Sequence, residues 1–546
     1  MITKLILNLS PYLIASLLFA GCIGDKNENT RGATSNQASL PTAPNIITIA
    51  NSRGFENSIN LDIAGVSSGD VLRIYSDSSC NTQLASSTAN SSTVQITVSN
   101  LTVGSHTFYA TKTTDGKTSA CSAQSVSYEL RQKFISTWRT TAASETITLP
   151  LVASYNYDLI VDWGDGSQST IFSDSDSNKT HTYTNAGDYT VTISGTMEAF
   201  SFNNLGDRLK LIEVVNLGDL GWINLSGAFY GCQNLLSFAG GKTNQVIDMS
   251  HMFHNTYSLI TLDLYTFDTT NVTDMSYMFS GQLVLTELDT SNFNTSQVNN
   301  MSYMFQSLML ISSLNLSSFD TLNVTDMRSM FFNARELLSL DLTGFDTSNV
   351  TNMNSMFSTT LKLTTINLSS FDTRNVTSMS GMFSNASQLI NLDLSHFDVS
   401  KVTTFDGMFR IASRLQFLNL ANWNTQSAGI SAFMQMFEGM SAGTTTMTSL
   451  DLSHFNTTNS RYLNSTFRAI NVAHLNLSGW NTSSVQDVTR MFEMSQNLIS
   501  IDTSGWNISS VATSTDAFNG KNPSLQVYCN QGGSPGTGTF FTEICN

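Results

Sequence analysis

Charge is scarce in this chain. Charged residues make up 12% of 546, and the basic ones are the scarcer kind, with 25 Lys plus Arg against 41 Asp plus Glu and a formal net charge of −16. Phosphate binding needs clustered cations, so nucleic acid is excluded as an expected partner. The carboxylates are dispersed, not gathered into acidic blocks, and a hydrophobic content of 40% excludes a disordered chain. Cysteine is also sparse, six in all, without the close Cys or His spacings that a metal site requires. Catalytic signatures are missing as well. There is no Gly-x-Ser-x-Gly elbow and no phosphate loop, and the pair His251 and His254 in "HMFH" has no acidic partner in a zinc-protease pattern. These absences predict a protein that is not an enzyme and that carries no cofactor and no metal.

What is present begins at the N-terminus, where Lys4 precedes the apolar run "LILNLSPYLIASLLFAGC". Residues 1–21 read as an export signal. Small residues followed at once by Cys22 resemble a bacterial lipobox, although Phe19 stands where the commonest form has Leu. That resemblance implies cleavage before Cys22 and a lipid on its sulfur. An uncleaved membrane anchor and an ordinary signal peptide are the alternatives. Residues 22–44 are polar and read as a tether. An oxidising compartment allows Cys80 to pair with Cys121 and Cys529 with Cys545, leaving Cys232 as a buried free thiol.

Short alternating runs such as "INLDIAGV", "VLRIYSD" and "TVQITVS", separated by Gly, Ser, Asn and Asp, predict an immunoglobulin-like β-sandwich over 45–130. Residues 131–200 contain "VDWGDGS" and "HTYTNAGDYTVTISG". With Trp163, Asp165, Gly166, His181, Tyr183, Gly187, Tyr189 and Val191, this segment resembles the polycystic kidney disease (PKD) type of β-sandwich. Asp174, Asp176 and Asn178 open like a calcium loop, but Lys179 stands at position six and Asn185 at position twelve, which breaks the pattern.

The rest of the chain repeats itself. A Met-Phe pair returns every 26 residues from Phe279 to Phe409, and the register extends from Phe229 to Phe518 with looser steps at the ends. About twelve turns of a solenoid are expected over 201–528, closed by a cap at 529–546. In "NVTDMSYMF" the apolar residues Val272, Met275, Met278 and Phe279 fall at helical offsets, predicting one short helix per repeat. In "LITLDLYTFD" the alternation of Leu262, Asp263 and Leu264 predicts one short strand. Phe267 and its counterparts, from Phe293 to Trp506, are uniformly large aromatics and read as a buried column.

The pattern "FDTSNVTNMSxMF…LxxLDLSxFD" resembles the BspA-like leucine-rich repeat family of bacterial surface proteins, with the match running from 229 to 518. Membership implies a lipid-anchored protein of the bacterial cell envelope, at the outer membrane or cell surface, and adhesion to a host or matrix ligand. No binding residue is defined by that family's motif. The residues themselves offer one candidate contact face, the outward ladder Asp263, Asp289, Asn315, Asp341, Asn367, Asp393, Asn419, Asp451, Asn476 and Asp502. A plain solvated sheet face accounts for the same pattern. A second column, Asp268, Asp320, Asp346, Asp372 and Asp398, reads as turn caps. The expected partners are an extracellular protein or glycan and, through the lipid, a membrane. The chain is expected to be monomeric. A structural envelope protein and an extracellular polysaccharide-binding protein are the competing readings.

Overall fold

The computed structural model describes residues 39–441 and 447–529. They fall into two compact units, one formed by residues up to Ile47, Asp62–Ile96 and Tyr109–Ser125, the other by Thr48–Leu61, Thr97–Phe108 and everything from Val126 on. Residues 45–130 hold nine strands in two sheets. Within the first unit, Val71–Tyr75 pairs antiparallel with Gln83–Thr88 and with the second half of Gly104–Thr114. The alternation read in the sequence turns Leu72 and Ile74 inward, and both are fully buried. Cys80 and Cys121 are joined, their Cα atoms 5.7 Å apart.

The second unit is built around one hydrophobic core that runs from Phe134 to Ala517. Its first part has strands Tyr157–Asp162, Gly187–Met197 and Phe134–Thr140 in one antiparallel sheet, with Glu145–Thr148 and Thr180–Tyr183 paired separately. The large sheet does not stop at residue 200. Leu211–Asn216 pairs antiparallel with Phe134–Thr140 and parallel with Ser237–Ala239, which pairs in turn with Thr261–Asp263. One strand thus converts the edge of an antiparallel sheet into the first coil of the solenoid and leaves no exposed edge at the junction.

Each coil turns around two aromatic columns. The rings after the methionines, Phe229 through Phe518, stack without interruption, with centroid separations such as 5.7 Å for Phe331–Phe357 and 5.6 Å for Phe357–Phe383. Phe267 and its counterparts fill the second column, buried from Phe267 to Trp480 and partly buried at Trp506. A void in such a stack forfeits contacts on both sides, which explains why only large rings occur.

The expected helix does not form. Among the described residues the only helix is a three-residue 3-10 turn, Ser177–Lys179, far from the repeats. In "MNSMFST" the amides of Met353, Ser355, Phe357 and Thr359 donate to the carbonyls of Ser378, Ser380, Met382 and Ser384 in the following coil, at 2.7–3.1 Å. Met356 and Ser358 close tight turns onto Met353 and Ser355. Ser355 and Thr359 have φ of +54° and +61°, a conformation that no right-handed helix contains. A helix would direct these amides to its own carbonyls and leave the coils unconnected. The turn chain uses them between coils, and those bonds offset a left-handed penalty of about 1 kcal/mol per residue.

The strand is also only partly realised. Strands form at Thr261–Asp263, Ser339–Leu340, Thr365–Ile366, Asn391–Asp393 and Phe417–Asn419, then in four successive coils from Met447–Asp451 to Gln526–Tyr528. Residues 287–289 and 313–315 have none. Continuous parallel pairing occurs elsewhere, as single bridges linking Asn224, Asp248, Asp274, Asn300, Asp326, Asn352, Ser378 and Thr404 in order.

Candidate functional site

The candidate ladder is built one corner at a time. Each member follows an inward Leu or Ile and precedes a second buried position, so its own side chain is turned outward. Seven of the ten, Asp263, Asp289, Asn315, Asp341, Asn367, Asp393 and Asp451, are exposed, while Asn419, Asn476 and Asp502 are half-buried. All ten are engaged. Asp263 Oδ1 accepts from the amide of Tyr265, Asp341 Oδ1 from Thr343, Asn367 Oδ1 from Ser369 and Asp451 Oδ1 from Ser453, each at 2.9–3.1 Å. The same bond recurs at Asp289, Asn315, Asp393, Asn419, Asn476 and Asp502. These are Asx turns, which explains the free alternation of Asp and Asn, since only the shared oxygen is needed. Hydrogen bonds from the hydroxyl and amide of Thr343 hold the Asp341 carboxyl below its ordinary range, and Ser291 does the same for Asp289.

Two further corners in each coil are made alike. Asp268, Asp320, Asp346, Asp372 and Asp398 accept from the amide two residues on. Asp248, Asp274, Asn300, Asp326 and Asn352 do so at the third corner. A coil is therefore a chain of capped turns with three Asx corners.

Some outward side chains beside the ladder are left unengaged. Ser339 and Thr365 lie two residues before Asp341 and Asn367, are exposed and make no hydrogen bond through the side chain. On these two coils fixed acceptors thus lie beside free hydroxyls, whereas the same position carries Glu287, Asn391, Phe417 and His474 on others.

Sequence reasoning missed a buried polar column one residue after the second corner. The Thr269 hydroxyl donates to the carbonyl of Asn294 at 2.9 Å and accepts its amide at 2.8 Å. Thr295, Thr347 and Thr425 bridge their coils in the same two-way manner. The signal was the recurrent Thr of "FDT", read as part of a turn when it is a rivet between coils.

The remaining candidates sort as follows. His251 and His254 are half-buried, with Nδ1 atoms 2.9 Å apart and rings stacked between Tyr230 and Tyr277. His251 has φ of +56°, so the pair is not helical. Burial pushes both imidazoles down, His254 to about 4. Lys179 Nζ donates to the carbonyl of Asp174, so an ammonium group occupies the loop that imitates a calcium site. Cys232 is buried and free, its thiol pushed well up by burial. A polar cavity of about 250 Å³ is lined by Arg53, Glu129, Arg131, Asp219 and Lys242. Those charges are linked to one another in ion pairs of 2.9–3.3 Å. No group of three or more metal-ligating side chains occurs among the described residues, and none of their helices is long and apolar enough to cross a membrane. Cys22 and Cys545 lie outside the described residues.

The fold and its corners define a β-solenoid repeat protein. The chain belongs to the family described as "Mycoplasma protein of unknown function, DUF285", whose overlapping matches cover 223–339, 309–417, 334–450 and 413–528, more than half of the sequence. No curated protein and no solved structure matches it.

Proposed function

We propose that this is a surface-exposed, lipid-anchored protein of the bacterial envelope whose solenoid makes extended adhesive contacts through the ladder face, by binding and not by catalysis. The observation that carries the reading is the face itself: Asx acceptors fixed at the same corner recur coil after coil, beside unengaged outward hydroxyls at Ser339 and Thr365, above a continuous packed core. The export signal and the resemblance to BspA-like repeats support the same reading. Many weak contacts spread over several coils suit this surface better than one hot spot.

The ladder carboxylates cap turns, so replacing them with Lys would confound binding with folding. The test therefore places Lys at Ser339 and Thr365 together, and at Leu322 on an adjoining side as a control. Adhesion of the folded variants to immobilised extracellular-matrix proteins and to isolated envelopes is then measured. Loss with the double variant alone supports the face. Retention by both variants excludes it, and no adhesion by the parent chain favours a structural envelope role. Lipidation is tested separately: Cys22→Ser is expected to release the protein from membranes or leave its precursor unprocessed, and unchanged detergent partitioning with normal processing removes the anchor.

A further inference from the structure

The ladder face is not uniform along the solenoid. Its last stretch is a four-stranded parallel sheet, Met447–Asp451, Val472–Asn476, Ser500–Asp502 and Gln526–Tyr528. Here exposed rings appear among the polar side chains. His474 is exposed, and Tyr528, 56% exposed, lies two strands on in register with Asn476, two residues along the strand from His474. Phe417, 50% exposed, occupies on an earlier coil the position that His474 holds on its own. The same position upstream carries Ser339 or Thr365 and no ring.

Two of the three rings are held in place. His474 Nδ1 lies 2.8 Å from Ser500 Oγ, and the Tyr528 hydroxyl donates to Gln526 Oε1 at 3.2 Å. Around them, Asp451 and Asp502 each use Oδ1 for a turn, and Asn476 is capped through its oxygen, which leaves its amide hydrogens as donors.

We propose that this C-terminal stretch of the face, together with Phe417 on the coil before it, binds a neutral polysaccharide. The proposal rests on the reading of the ladder face as the contact surface and names its ligand. A sugar ring is apolar on its C–H face and polar at its edge, which fits an aromatic side chain set among carboxylate and amide groups. Its length in an extended chain is close to the interstrand spacing of about 4.8 Å. Carboxylates without Lys or Arg among the strand residues around them repel anionic polymers.

The test uses the protein with all its domains in native affinity electrophoresis through gels containing a neutral β-glucan, a mannan or a galactan, with heparin as the anionic comparison. Retardation is expected in at least one neutral gel. Phe417→Ala and Tyr528→Ala should each weaken it by about fivefold or more without moving the melting transition, and Phe417→Trp should restore it. No retardation by any neutral polymer, retardation by heparin alone, or equal retardation of the ring variants would overturn the proposal. If the neutral polymers fail while the Ser339 and Thr365 double variant still abolishes adhesion to a protein ligand, the glycan assignment falls and the adhesive face stands.

Discussion

A single coil position shows how closely inside and outside are set against each other. Phe345 is buried in the second aromatic column, and Asp341, four residues earlier, is exposed at its corner. Phe345→Ala should cost about 3–5 kcal/mol through the cavity it opens. Asp341→Ala removes an acceptor of the Thr343 amide and hydroxyl, an effect comparable to loss of a helix cap, about 1 kcal/mol. Asp341→Asn keeps that oxygen and should be nearly neutral. Urea unfolding of the three variants checks the order, and a cost for Asn equal to that for Ala would refute the Asx assignment.

Another residue-scale expectation concerns acid. Burial raises the Asp165 carboxyl, but hydrogen bonds from Ser167 and His181, the latter at 2.8 Å, more than offset this and hold it at about 2. A folded value below the unfolded one of about 3.9 makes the ionised carboxylate stabilising above pH 4, and that contribution disappears as pH falls towards 2. Denaturant midpoints measured between pH 5 and pH 2.5 should fall, and Asp165→Asn should flatten part of that fall. An unchanged slope in the variant would mean that other carboxylates govern the acid limb.

At the scale of elements, the period, the buried Met, Phe and Leu columns and the outward Asp of the Leu-Asp-Leu segments were legible, because burial repeats with the coil. The helix was not, and the reason is physical. Spacing of Met353, Met356 and Phe357 at offsets of three and four suits a helix, but it equally suits successive tight turns that return the chain to the same face. What separates the two is a left-handed residue between the methionines, and here that position is His, Tyr, Ser, Gln or Arg as readily as Gly. Composition therefore concealed it. The ladder was legible as an exposed column, but its capping role required the coordinates, since an Asp outside a strand looks the same whether it faces a ligand or its own backbone. Ser355, with φ of +54°, makes the difference measurable. In a helix Ser355→Gly would destabilise by several tenths of a kcal/mol; in the left-handed turn it should be neutral or stabilising by a similar amount. Ser355→Val, strained at positive φ, should cost more than 1 kcal/mol. Thermal unfolding of the pair decides the sign, and a destabilising Gly would bring the helix back.

At the scale of the whole molecule, the same rules apply at every coil, and the consequence is modularity. The core has no interruption between Phe134 and Ala517, yet each coil contacts its neighbours through columns that recur every 26 residues in the central turns. Stability in such an array is close to a sum of coil and interface contributions. Deleting residues 346–371 joins Phe345 to Asp372, places Thr373 against the column left by Thr347, and restores every Asx corner and ring stack with one coil fewer. That variant should fold, keep the far-ultraviolet spectrum per residue and lose only a small part of its melting temperature. Deleting 346–370, one residue less, leaves an extra side chain in the splice and puts inward Leu and Phe positions out of step with their columns on one side of the joint. Limited proteolysis should find the first variant as resistant as the parent and the second cleaved near residue 345. Equal resistance of both would show that the coils tolerate a shift of register, and that the aromatic columns do not dictate the length of the repeat.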